Sequence, residues 1–311
     1  MGATFHAQGS NQLPDIGTAG VAALPIEQEV RYGNAFMRFA RAGLPIIDDP
    51  VLNEYIDDLG QRLLTNADGV RFPFTFFLIN DPSINAAAFL GGRVKVHTGL
   101  FLYAESESEL ASVLAHEITH VTQRHIARYM EAQASSSAMT LAGLVGSIAL
   151  AVINPTAGIA ALQTTLGLSM QSAINYTRDN EYEADRIGMK TLYDAGFDPM
   201  GMANFFQKLA AEYRYASKPP EMLLTHPLPE TRISEARARA GSYGARALPP
   251  SLDFWLAKVR IQVRYGTETP QALLTYFDSR LQKGDYPLKD AAIYGKALAL
   301  LQLKRTDEAD T

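Results

Sequence analysis

The chain has 311 residues, 47% of them hydrophobic and 20% charged, with a net charge of −5 and no cysteine. That balance suits a globular protein with room for a substantial core, and it lacks the basic footprint of a nucleic-acid binder. It excludes disulfides, thiolate catalysis and cysteine-ligated metal, so a metal site here must be built from histidine and carboxylate.

Residues 1–25 read as a flexible lead-in, without the basic start and apolar run of a secretory signal. A helix is expected over Ile26–Ala42, closed by Gly43 with Pro45 beyond. A second follows Asp48-Asp49-Pro50, where Leu52, Ile56, Leu59 and Leu63 keep helical spacing. Phe72–Ile79 changes period and reads as a strand, closed by Asn80-Asp81-Pro82. Val94-Lys95-Val96-His97-Thr98 alternates in type between glycines, and its lysine suits an edge strand. The free side of that edge is expected to pair with an extended substrate.

One long helix is expected over Ser106–Ala134. Met139–Ile153 and Ala157–Ala173 are two apolar runs parted by Asn154-Pro155, both short of the roughly 20 residues that cross a bilayer. They read as a buried helical hairpin, with a mobile lid or a peripheral membrane contact through 139–173 as alternatives. Helices over Thr177–Ala195, Pro199–Tyr215 and Pro229–Ala240 complete a domain spanning 26–250, bounded by Pro249-Pro250. Residues 251–311 read as further helices at Leu252–Tyr265, Pro270–Lys283 and Lys289–Leu303. There Tyr294-Gly295, Ala297 and Glu308-Ala309 match part of a tetratricopeptide unit.

The chemistry lies in His116-Glu117-Ile118-Thr119-His120. At about 100° per residue the two histidines leave one helix face a turn apart, spaced for one tetrahedral zinc. Glu117, beside that face, is placed to take a proton from an attacking water rather than to bind the same ion. Leu110, Val113, Leu114 and Val121 make this helix a core element. His125, nine residues after His116 and about half a turn round the same helix, is expected to face away. The third ligand is expected in Arg178–Asp185, where Glu181 and Asp185 share a face at i, i+4 and Glu183 points about 200° away. Glu181 then binds the ion, and Asp185 accepts a hydrogen bond from the second ring nitrogen of a ligand histidine. Glu183 is expected to have no bearing on the metal.

HExxH followed by Asn180-Glu181-Tyr182-Glu183-Ala184-Asp185 is where the chain resembles a known family. It is similar to the zinc endopeptidases that include HtpX and the CAAX prenyl proteases, and among them to the BepA-like periplasmic branch. The matching stretches, in order, are Asn11–Gly17, Gly91–Leu100, His116–Arg128, Asn180–Gly188 and Leu224–Arg232. The resemblance implies an α+β, mostly helical gluzincin-type domain with a small sheet along the cleft, followed by the start of a tetratricopeptide-like region. It implies one zinc on His116, His120 and Glu181. It also implies an endopeptidase in the periplasm of a Gram-negative bacterium, acting on unfolded or misfolded proteins during outer-membrane β-barrel assembly, near the barrel-assembly machinery.

The same resemblance gives a role to His226, whose loop is stiffened by Pro227 and Pro229. It can close the zinc site as an inhibitory fourth ligand or stabilise the oxyanion, and Arg232 is a further candidate for the oxyanion. The competing reading is a chaperone or assembly factor that keeps a structural zinc and works by binding. Glu117 speaks against it, since a structural site has no use for a general base.

Overall fold

The computed structural model describes residues 24–132, 170–215, 217–244 and 246–310, with scattered positions between 143 and 161. The expected lead-in and most of the apolar hairpin at 139–173 lie outside the described residues. Among those described, no helix is long and apolar enough to cross a membrane.

The first helix, α1 (Ile26–Gly43), buries Phe36, Met37 and Ala40. α2 (Pro50–Leu64) starts where Asp49 accepts hydrogen bonds from the amides of Val51 and Leu52, with Pro50 in the first turn. Leu52, Ile56, Leu59 and Leu63 are all buried, as their spacing predicts.

Three strands follow, β1 (Thr75–Ile79), β2 (Ala86–Phe89) and β3 (Arg93–His97), in the spatial order β1-β3-β2. β3 runs parallel to β1 and antiparallel to β2. This corrects the expectation for Val94–Thr98: the strand is central, with both sides of its ladder filled, and Thr98 already opens helix α3 (Thr98–Tyr103). Lys95, which suggested an edge, is 1% exposed with its Nζ 3.1 Å from His97 Nε2. Val94 and Val96 point into the main core. The edge beside the helix that carries His116 and His120 is β2, whose Ala-Ala-Ala-Phe sequence lacks the β-branched signal that marks a strand. Gly91 and Gly92, at φ +69° and +75°, make the turn that returns β3 along it.

Ser106 caps α4 (Glu107–Thr122) by accepting from the Glu109 amide. The helix expected over Ser106–Ala134 is in fact two. Arg124 takes the left-handed conformation at φ +54°, and α5 (His125–Ala132) starts afresh after it. A non-glycine residue there is strained. Its guanidinium is buried against Glu29 of α1, with Nε donating to Oε1 at 2.8 Å, and this ion pair holds the turn.

α6 (Met170–Asp194) lies along α4, and α7 (Met200–Tyr213) packs on α4 as well. The approach of α6 is close: a Cβ built on Gly188 would lie 3.1 Å from the carbonyl of Ala115 and the amide of His116. Leu110, Leu114 and Ile118 of α4 share one core with Met189 and Leu192 of α6 and Phe205 and Leu209 of α7. Phe77, Ile79 and Phe89 pack in a second core with Phe36 and Met37 of α1 and Ala127 and Met130 of α5. The short α8 (Glu221–Thr225) and α9 (Glu230–Tyr243) close the arrangement.

Four helices follow Pro250: α10 (Leu252–Tyr265), α11 (Pro270–Lys283), α12 (Lys289–Gln302) and α13 (Thr306–Ala309). α10 has two buried faces. Phe254, Ala257 and Ile261 belong to the main core, while Val259 and Val263 join Leu273, Phe277 and Leu300 in a smaller one.

Candidate metal centre

Four side chains from three places converge. α4 supplies His116 and His120 one turn apart, α6 supplies Glu181, and His226 enters from the residue that ends α8. Their ligand atoms all lie within 4.8 Å of one another. Glu181 places Oε2 at 3.3 Å from His116 Nε2 and Oε1 at 3.3 Å from His120 Nε2, and the two Nε2 atoms are 2.9 Å apart. His226 Nδ1 is 3.0 Å from Glu181 Oε1 and 3.3 Å from His116 Nε2. The residues read from the motif are thus gathered at one point, and His226 stands with them.

Proton bookkeeping shows that this point fits a cation. His116 Nδ1 lies 3.0 Å from Asp185 Oδ1 and donates its proton there, so that a neutral His116 presents Nε2 as a bare lone pair. That lone pair faces His120 Nε2 and both oxygens of a buried carboxylate. Such a cluster of acceptors repels itself unless something positive sits among them, and two or three imidazoles with one carboxylate are a donor set for zinc. The site calls for positive charge: burial opposes protonation of His116, yet Glu181 and Asp185 push its pKa up to about 10, and the protonated rings of His226 and His116 hold the Glu181 carboxyl well below its ordinary range against its burial.

Asp185 stands behind His116, and Arg232 stands behind Asp185. Arg232 is 2% exposed and grips Asp185 with two nitrogens, Nε to Oδ2 at 2.7 Å and Nη2 to Oδ1 at 2.8 Å. Its Nη1 donates to the Pro227 carbonyl and lies 2.8 Å from Glu181 Oε2. The guanidinium is thus held by two carboxylates and a carbonyl behind the converging side chains.

Glu117 is 1% exposed and leaves the ligand cluster for the strand side. Its Oε2 accepts from the backbone amide of Ala88 in β2 at 2.8 Å, and Oε1 lies 3.4 Å from His226 Nε2. Burial raises its carboxyl above the ordinary value, with His226 and His116 working against that rise. A small recess lined by Val113, Phe206, Leu209, Met222 and Leu228 adjoins His116 and His226.

His125 and Glu183 are where the helical-phase argument fails. Because α4 ends before Arg124, His125 is not half a turn round the same helix; it comes back against His120, with the two Nδ1 atoms 2.8 Å apart. His125 Nε2 lies 3.2 Å from Glu183 Oε2, to which Arg128 Nη1 donates at 2.7 Å. Glu183 leaves α6 away from Glu181, as its phase requires, and still meets a neighbour of the metal site. No glycine or proline marks the break at Gln123-Arg124, so the sequence carries no signal for it.

The family model described as peptidase family M48 matches residues 50–240. The beta-barrel assembly-enhancing protease of Yersinia pestis is 50% identical over 301 residues, which cover 96% of this chain and 61% of that protein. The protein of the same name from Escherichia coli (strain K12) is 47% identical over 307 residues, 99% of this chain and 63% of that protein. The mitochondrial metalloendopeptidase OMA1 of Schizosaccharomyces pombe is 26% identical over 179 residues, 58% of this chain and 50% of its own length. The chain spans less than two thirds of the length of the two bacterial relatives. Glu117 and all four converging side chains fall inside the matched span, and the chain belongs to peptidase family M48.

Proposed function

We propose that the chain is a zinc-dependent endopeptidase with the ion held by His116, His120 and Glu181. The observation that carries this is the cage of facing lone pairs beside a buried carboxylate, Glu117, which takes no part in the cage. A zinc ion there would polarise a peptide carbonyl and acidify a water. Glu117, aimed by the Ala88 amide, accepts the proton of the attacking water and returns it to the leaving amine. β2 lies at the end of the sheet and is paired with β3 alone, so an extended substrate chain is read as pairing with its other side. Backbone pairing accepts many sequences.

His226 stands with its Nδ1 among the ligand atoms and its Nε2 toward Glu117, the position a substrate carbonyl and water must share. We read it as the resting plug of the site, to be displaced by substrate. The bacterial relatives' name speaks of β-barrel assembly; with the family resemblance of the sequence, the substrates are read as misfolded or stalled outer-membrane β-barrel proteins in the periplasm of a Gram-negative cell, with the assembly machinery as a partner. Three helices of 14 residues each, α10 to α12, joined by short turns, suit the opening of a tetratricopeptide region that would bind such partners. The test is cleavage of an unfolded protein with and without chelator, then restoration by added zinc. Cleavage that persists through chelation overturns the reading.

A further inference from the structure

His120 faces the cage with Nε2, so the partner of its other nitrogen fixes its tautomer. That partner is His125, Nδ1 to Nδ1 at 2.8 Å with the rings at 82° to each other. Two ring nitrogens at this distance hold one proton between them: one donates and the other accepts. If His120 binds a metal through Nε2, its proton is on Nδ1, and His125 accepts through Nδ1. The proton of His125 must then be on Nε2, where it meets Glu183 Oε2 at 3.2 Å. An ionised carboxylate accepts only, and the same oxygen is held by Arg128 Nη1. Every link therefore has a single consistent polarity, running from the metal outward.

We propose that His125, Glu183 and Arg128 form a positioning relay that fixes the tautomer and ring orientation of His120 for metal binding. It is the counterpart of Asp185 and Arg232 behind His116, built in a different way. On the His116 side the carboxylate touches the ligand directly and the arginine behind it is buried. On the His120 side a neutral imidazole is interposed, and the carboxylate and arginine side chains are 24% and 33% exposed. The two ligand histidines are thus backed unequally, and His116 feels the nearer negative charge. The left-handed Arg124 is what makes the second arm possible, since it folds His125 back onto the last turn of α4, and Glu29 holds that turn from α1. The relay rests on the reading of His120 as a metal ligand.

The experiment is zinc affinity of the full chain by chelator competition, with the visible spectrum of the cobalt-loaded protein as a second readout. His125→Ala should weaken zinc binding about 10–100-fold, the usual cost of losing a partner behind a ligand, and should alter the cobalt bands at saturation. His125→Asn, whose side-chain oxygen can accept where Nδ1 does, should recover most of the affinity. Glu183→Gln, at a partly exposed side chain, should weaken binding by less than His125→Ala and serves if that variant does not fold. Wild-type affinity in His125→Ala or, where that variant does not fold, in Glu183→Gln overturns the relay. So does an equal loss of metal-free thermal stability in the alanine and asparagine variants with affinity unchanged. Zinc binding by the wild type with no effect of these substitutions overturns the relay alone. Failure of the wild type to bind zinc overturns the metal reading with it.

Discussion

Arg260 of α10 places Nε 2.9 Å from Oδ2 of Asp49, the same carboxylate that caps α2 and accepts from Tyr265. One side chain thus starts a helix of the protease core and fastens the helices that follow Pro250. Burial opposes its charge, but Arg260, the Leu52 amide and Tyr265 together hold the Asp49 carboxyl below its ordinary value. A carboxyl depressed on folding adds stability above its unfolded pKa, and that stability is lost as pH falls through the folded value. Arg260→Ala should therefore cost about 1.5–3 kcal/mol at neutral pH, the usual worth of a hydrogen bond to a charged group. The gap from wild type should narrow below about pH 4, where the unfolded carboxyl begins to protonate. Thermal unfolding of both proteins across pH 3–7 checks this, and a gap of constant size would refute the linkage.

Glu117→Gln is expected to keep metal and fold while abolishing cleavage. The amide matches the carboxylate in shape but cannot accept the water's proton. Metal content, circular dichroism and turnover of an unfolded protein decide it together. Near wild-type turnover removes Glu117 from the base role.

Glu181→Ala should release the metal at concentrations that saturate the wild type. Asp185→Ala should retain it with affinity lower by about 10–100-fold, since it removes only the partner of His116. Chelator competition ranks the two. An Asp185 variant weaker than the Glu181 variant would reverse their assignments.

His226→Ala tests the resting plug by the sign of its effect. Removing a plug raises basal cleavage of unfolded protein. Removing an oxyanion donor lowers turnover by about 10²-fold or more. Unchanged cleavage would take His226 out of the site in spite of its 3.0 Å approach to Glu181.

Pairing of substrate along β2 makes a prediction about the substrate itself. A peptide N-methylated at alternate residues, in the register that faces β2, should compete poorly, while methylation in the other register should leave competition intact. Equal competition by the two peptides would exclude β2 as the pairing strand.

What the sequence made legible was local. Asp49-Pro50 and Thr269-Pro270 start helices where capping chemistry says they should, and Gly284 ends one in the left-handed conformation. His116 with His120, and Glu181 with Asp185, were readable because each pair is set by the period of a single helix. Beyond one helix the reading gave out. The alanine run of β2 hides a strand because its strand character comes from the β3 ladder rather than from its own side chains. The grip of Arg232 on Asp185 was not legible, because nothing local ties position 232 to a carboxylate 47 residues earlier. His125 was misplaced by one left-handed residue, which shifted the helical phase behind it and turned a bystander into a neighbour of the metal site.

Gly188 contributes no atom to the cage, yet it gauges its bore. Its bare Cα lets α6 rest against the Ala115 carbonyl and the His116 amide, and Glu181 sits about two turns away on the same helix. The distance from the histidine helix to the carboxylate is therefore set by a missing methyl group. A single extra carbon there would act as a wedge between the two jaws.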